Sequence, residues 1–195
     1  MDYNELKKLK EKLYFTVSDL QALSGASRAS ARVLCARYAK KGIFVRLKNN
    51  FYVLDQKWDT FSRGDFLKIA NFLQVPSYVS FMTALSIYEV TTQVQRNYFE
   101  SVSLKRSKRI DVKDAVFNYY KLKKDYYFDF IKKGDFFIAT KEKALVDSAY
   151  LYSFGRYKFD FASLDLKKID KERVKKIIKA FPLRTKAVVE GLCRI

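Results

Sequence analysis

The apolar and polar positions of the first 54 residues fall into three helical stretches followed by a pair of short strands. Leu6, Leu9 and Leu13 share one face of a charged segment, Met1 to Leu13, and predict a first helix. A second opens at Thr16, whose hydroxyl can cap it, while Asp19 supplies the acidic half of a capping box. Val17, Leu20 and Leu23 form its apolar face. After a break at Ser24-Gly25, Ser27 caps a third helix running to about Lys41, and Gly42 stands where a left-handed residue ends it. Ala31, Leu34, Cys35 and Tyr38 follow at i, i+3, i+4 and i+7 as its inward stripe. Ile43 to Leu47 and Phe51 to Leu54 then read as strands joined by Lys48-Asn49-Asn50, residues that suit a turn. Helix, glycine turn, helix and basic hairpin in this order predict a winged helix-turn-helix over residues 1–56.

Trp58 to Asp65 reads as a junction, with Ser62 or Asp65 capping a helix through Leu73 that Pro76 closes. A second apolar helix is predicted from about Tyr78 to Glu89. From Tyr98 the period becomes that of strands, at Tyr98–Leu104, Val116–Leu122, Phe128–Ile131 and Phe136–Ala139, read as three or four strands of one antiparallel sheet. Thr140, with Glu142 close behind, caps a helix over Lys141–Phe154 that turns Ala144, Leu145, Ala149 and Leu151 inward. Two short basic helices, about Lys171–Ala180 and Leu183–Gly191, finish the chain. The expected class is α+β: the N-terminal winged helix-turn-helix, then residues 57–195 as a mixed domain of helices and a small, mainly antiparallel sheet.

Composition adds a partner class. The 195 residues hold 39 Lys and Arg against 21 Asp and Glu, a formal net charge of +18. Residues 1 to 54 carry 11 basic and 4 acidic side chains, residues 55 to 195 carry 28 and 17, so both halves are basic and the first more so per residue. Such a field favours polyanions, and with no membrane segment visible the expected one is nucleic acid. The N-terminal segment lacks the apolar run of a secretory signal. Cys35 and Cys193 are too few for a disulfide framework, and a reducing, cytoplasmic setting is expected.

The inward stripe of the third helix leaves Arg28 and Arg32, with the small Ala29 and Ala36, on the opposite face, near the end that such helices push into a major groove. Arg28 and Arg32 are expected to read base edges, Ser27 and Ser30 to meet phosphate or base edges, and Arg46, Lys48 and Asn49 to lie on the flanking backbone. The plainer reading of these cations is a solvated face. Lys105, Arg106, Lys108 and Arg109 pack four cations into five residues between two strands, either a polyanion or partner contact or a solvated loop. Tyr119, Tyr120, Lys121, Lys123, Lys124, Tyr126 and Tyr127 interleave rings and cations as single-strand binders do, although strand alternation predicts the same pattern with half the rings in the core.

The chain contains no histidine, which removes the commonest general base, the usual catalytic triads and histidine metal sites. Carboxylates would have to carry any catalysis. Asp125, Asp129, Asp135, Glu142 and Asp147 loosely suggest a nuclease set, but Glu142-Lys143 are neighbours at a helix start rather than on adjacent strands. Lys143 and Asp147, at i and i+4, are expected to pair on the helix surface. No glycine-rich phosphate loop occurs, and no catalytic residue, metal or cofactor is assigned.

The run PSYVSFMTALSIYEVTTQV at Pro76–Val94, followed by FFIATKEKALVDSAYLY at Phe136–Tyr152, resembles the AbiEi-type antitoxin family of bacterial abortive-infection toxin-antitoxin systems. Thr16–Leu54 is similar to that family's winged helix, and the matches extend over about Phe15 to Asp160. Ser80 in the first run and Glu142, Lys143 and Asp147 in the second are the motif positions carried over. Tyr88-Glu89 depart from the family, which more often has a small residue, frequently glycine, after the helix. The resemblance implies a two-domain repressor and antitoxin. Its winged helix binds inverted repeats in double-stranded promoter DNA, and its C-terminal domain counteracts a cognate nucleotidyltransferase-like toxin, by direct complex or indirectly. Alternatives are a stand-alone winged-helix regulator, a carboxylate-dependent nuclease and an enzyme modifying the toxin.

Overall fold

In a computed structural model, which describes residues 3–158 and 160–195, the first helix α1 (Tyr3–Lys10) ends before Leu13 is reached. Leu9 anchors it in the core; Met1, Asp2 and the Leu6 side chain lie outside the described residues. Next comes a two-residue strand β1 (Phe15–Thr16), too short to announce itself by alternation, which leads into α2 (Val17–Ser24). The capping box forms as the residue types dictate. Thr16 Oγ1 accepts the Asp19 N–H at 3.2 Å, and the Thr16 N–H donates to Asp19 Oδ2 at 2.7 Å. Gly25, at φ 64, turns the chain toward α3 (Arg28–Lys40).

Helix α3 ends in a Schellman motif. The Gly42 N–H reaches the Ala39 carbonyl and the Ile43 N–H the Tyr38 carbonyl, with Gly42 at φ 71, a conformation that only glycine adopts without penalty. Strands β2 (Phe44–Lys48) and β3 (Phe51–Leu54) follow, then a single turn α4 (Asp55–Trp58). The three strands form an antiparallel sheet in the order β1-β3-β2. Leu9, Phe15, Val17, Leu20, Ala31, Cys35, Phe44, Tyr52 and Leu54 make one core, with Leu23, Leu34 and Tyr38 packed on it. Burial pushes the Cys35 thiol up to about 11, so it serves as a small apolar filler.

The chain divides into two units after Phe66, within α5 (Arg63–Leu73), whose start is capped by a reciprocal Ser62–Asp65 pair. Among the described residues, the second unit holds six strands: β4 (Ser77–Val79), β5 (Tyr98–Ser103), β6 (Lys108–Val112), β7 (Ala115–Lys121), β8 (Phe130–Lys133) and β9 (Phe136–Ala139). Their order is β6-β7-β5-β4-β9-β8. Expectation and structure part here. The sheet is mixed, because β5 runs parallel to β7 and β4 parallel to β9, whereas three or four antiparallel strands were predicted. Strand β4 was hidden inside the apolar run read as one helix from Tyr78, and β6 inside the run of cations. A short continuous apolar stretch cannot be assigned by period alone. Strand β7, half-buried, alternates as a strand should, with Ala115, Phe117 and Tyr119 buried.

Helix α6 (Phe81–Ile87) is shorter than predicted, since Ser77–Val79 belong to the sheet. It closes with a second Schellman pattern: the Glu89 N–H bonds the Ser86 carbonyl and the Val90 N–H the Leu85 carbonyl. Glu89 sits at φ 57, the left-handed conformation for which a glycine is usual. The turn is therefore built without the glycine. Helix α7 (Lys141–Ser153) is capped by Thr140, whose hydroxyl accepts the Lys143 N–H at 3.3 Å. Packed against α6, α8 (Lys171–Ile178) and α9 (Leu183–Cys193), α7 has every residue from Glu142 to Leu151 buried.

Candidate functional site

The first candidate is the outer face of α3. Its inward stripe commits Ala31 and Cys35 to the core, so helical geometry turns Arg28, Ala29, Arg32, Val33, Ala36 and Arg37 outward, all exposed. Ser27 Oγ accepts the Ser30 N–H at 3.2 Å and lies 2.9 Å from Ser30 Oγ, so both hydroxyls are engaged in the cap while remaining at the surface. The helix contains four cations and no acid, which leaves the positive end of its dipole without a compensating side chain of its own. Val33 and Arg37 were not singled out from the sequence. Val33, 66% exposed, could have been found as an apolar residue off the core stripe.

Arg46 on β2 and Asn49 at the hairpin tip are exposed. Lys48 is half-buried at the end of β2, its Nζ 5.1 Å from the Phe51 ring centre. Asn50, at φ 67, accepts the Val17 N–H at 3.3 Å and so ties the hairpin to the start of α2.

In the second unit, Lys105, Arg106, Lys108 and Arg109 are exposed, but Lys108 and Arg109 belong to edge strand β6 rather than to a loop. Arg109 is paired with Asp111 at 2.8 Å. Buried Gln74 fixes the turn by donating to the Arg106 carbonyl and to Ser103 Oγ, each at 2.7 Å. Of the interleaved tyrosines, Tyr119 is in the core with its hydroxyl on the Ala70 carbonyl, and Tyr126 stacks on Phe181 at 4.6 Å. Those rings are occupied by internal packing.

Ser80, Lys143 and Asp147 converge, and the surface ion pair expected of Lys143 and Asp147 is instead fully buried, because α7 is buried from Glu142 to Leu151. Lys143 Nζ contacts Asp147 Oδ1 and donates to the Tyr78 hydroxyl at 3.0 Å. That hydroxyl donates to Asp147 Oδ2 at 3.0 Å, and Ser80 Oγ donates to the same oxygen at 2.8 Å. The rings of Tyr78, Phe128 and Phe181 surround the ammonium at 5.3 to 5.5 Å. Burial pulls the Lys143 ammonium down and the Asp147 carboxyl up, each opposed by the charge of the other. Glu142 stands apart from this network. Buried too, it accepts the Asp170 N–H at 3.1 Å.

A third feature was missed in the sequence. Beside β5 lies a cavity of about 820 Å³, lined by Met82, Tyr98, Glu100, Tyr120 and Tyr157, with Gln93, Gln95, Arg96, Arg156, Lys158 and the acid Asp160 exposed around it. Glu100 is 2% exposed and accepts the Tyr157 hydroxyl at 2.9 Å. Burial drives its carboxyl up to about 7, against hydrogen bonds from Tyr157 and the Met82 and Thr83 amides. The available signal was a lone acid amid the buried strand Phe99–Ser103.

Of the carboxylates considered for a nuclease, Asp129 and Glu142 share Arg173, while Asp135 and Asp147 lie on other partners. Asp129 pairs with Arg173, Asp135 with Lys68, and Asp147 with Lys143. Among the described residues, no group of three or more Cys, Asp or Glu side chains is disposed to hold a metal ion. Among the same residues no helix is long and apolar enough to cross a membrane. The chain matches no protein-family model and no curated protein.

Proposed function

We propose that the first unit is a winged helix that binds duplex DNA sequence-specifically, and that the chain is a non-enzymatic repressor. The observation that carries this reading is the outer face of α3: Arg28 and Arg32 exposed on a helix free of acids, opposite a stripe that seats it in the core. The order α1-β1-α2-α3-β2-β3 supports it, since it sets a basic hairpin directly after the candidate recognition helix. Arg28 and Arg32 read base edges, while Arg46, Lys48 and Asn49 follow the backbone. Val33, an exposed apolar side chain among cations, suits contact with a thymine methyl group.

Arg28→Ala or Arg32→Ala is expected to weaken binding to the chain's own promoter DNA by about 1 to 3 kcal/mol and to flatten sequence preference. Lys48→Ala should weaken all duplexes alike and reduce the salt slope by about one. Fluorescence anisotropy against promoter and scrambled duplexes separates the two effects. A double Arg28→Ala, Arg32→Ala variant that binds promoter DNA as well as wild type would remove α3 from the interface.

We further propose that this repressor is the antitoxin of a toxin-antitoxin operon, counteracting a nucleotidyltransferase-like toxin. The paired motifs support this: Ser80 of the first run and Lys143 and Asp147 of the second meet in one network. Co-expression with the product of the adjacent gene tests it, relief of growth arrest being the expected result and persistent arrest the contrary one.

A further inference from the structure

The outer face of α3 is cationic at its margins and apolar along its middle. At about 100° per residue, the positions furthest round the helix from the inward stripe of Ala31, Leu34, Cys35 and Tyr38 are Ala29, Val33 and Ala36, at i, i+4 and i+7. All three are exposed. Arg32 flanks this line on one side and Arg37 on the other, while Arg28 stands at the helix start. Granted the DNA-binding reading of the first unit, on which this rests, we propose that the line reads the 5-methyl groups of thymine. The operator then sets neighbouring thymines beneath α3, with the guanines met by Arg28 and Arg32 beside them.

A helix laid in the major groove brings this middle line closest to the base edges. The small Ala29 and Ala36 allow that approach, and Val33, 66% exposed, projects between them. Beside the line runs a groove of about 440 Å³ lined by Ala26, Ala29, Val33 and Leu34. Ser24 and Ser30 border it, but their hydroxyls are committed within the chain: Ser24 Oγ donates to the Leu20 carbonyl at 2.8 Å, and Ser30 Oγ lies 2.9 Å from Ser27 Oγ. Adenine, guanine and cytosine present donors and acceptors in the major groove, and pressed against carbon these would lose water without gaining a partner. Thymine alone adds a methyl group, which gains from the same contact. The occupant is duplex DNA rather than an apolar protein segment, because the helix carries four cations and no acid, a charge that phosphates match.

Replacing the thymines of the promoter duplex by uracil, one position at a time, tests the assignment, since the two bases differ only by the methyl group. Anisotropy with the full chain should show binding weakened about fourfold at each of two or more neighbouring positions, the worth of one buried methyl, and unchanged elsewhere. Val33→Ala, an exposed change, should weaken binding to the thymine duplex and erase the thymine–uracil difference at one of those positions at least. Arg32→Ala should leave that difference intact. A promoter bound in preference to scrambled DNA, yet indifferent to uracil at every position, would overturn the proposal and leave DNA binding standing. So would a difference that persists in full at every position in Val33→Ala. Equal affinity for promoter and scrambled duplexes would overturn the DNA-binding reading itself, and the choice of thymine with it.

Discussion

Asp147→Ala is expected to destabilise the second unit by about 3 to 5 kcal/mol, the usual consequence of leaving one buried charge without its partner. The change strands the Lys143 ammonium, fully buried among the rings of Tyr78, Phe128 and Phe181, and removes the acceptor of both the Tyr78 and Ser80 hydroxyls. Lys143→Ala should cost a similar amount, for it strands the carboxylate. The double change Lys143→Met, Asp147→Leu removes both charges and is expected to cost well under the sum of the single changes, because no buried ion remains. Chemical denaturation followed by circular dichroism and tyrosine absorbance measures this. Single variants within 1 kcal/mol of wild type would mean that the pair is not buried as described.

The second large effect is a dependence on pH set by Glu100. Its folded-state pKa is raised to about 7 from an ordinary value of 4.5. For an acid shifted upward, the folded protein holds the proton more tightly than the unfolded chain, so stability falls as pH rises between the two values. The contribution is complete below pH 4.5 and gone above about 7, a change of about 3 kcal/mol. Tyr98, Tyr120 and Tyr157 around the carboxyl are all raised, mainly by burial, and do not titrate in this window. Glutamine mimics the protonated acid at every pH. The stability difference between wild type and Glu100→Gln, measured from pH 4.5 to 8, should therefore turn against wild type by about that amount; a difference that stays constant would contradict it.

Much of the first unit could be read in the sequence because its signals are local. The Thr16–Asp19 box, the Ser27 cap, Gly42 and the stripe through Ala31 and Cys35 each depend on neighbours within a few positions. In the second unit the deciding contacts are distant. Strand β4 is a strand only because β5 and β9 flank it, and nothing in Ser77–Val79 states that. Lys143 and Asp147 looked like a surface pair, since four-residue spacing carries no information about what covers a helix. The cavity collects Glu100, Tyr120 and Arg156 from three remote segments, and a site of that kind leaves no motif.

Central to the account is recognition of duplex DNA by the first unit. The most direct measurement titrates the full-length protein against a duplex from upstream of its own reading frame and against a scrambled duplex of equal length and composition, at several salt concentrations. Sequence-specific binding predicts a preference of at least about a thousandfold at physiological salt, together with a steep loss of affinity as salt rises. Equal affinity for both duplexes would contradict the account.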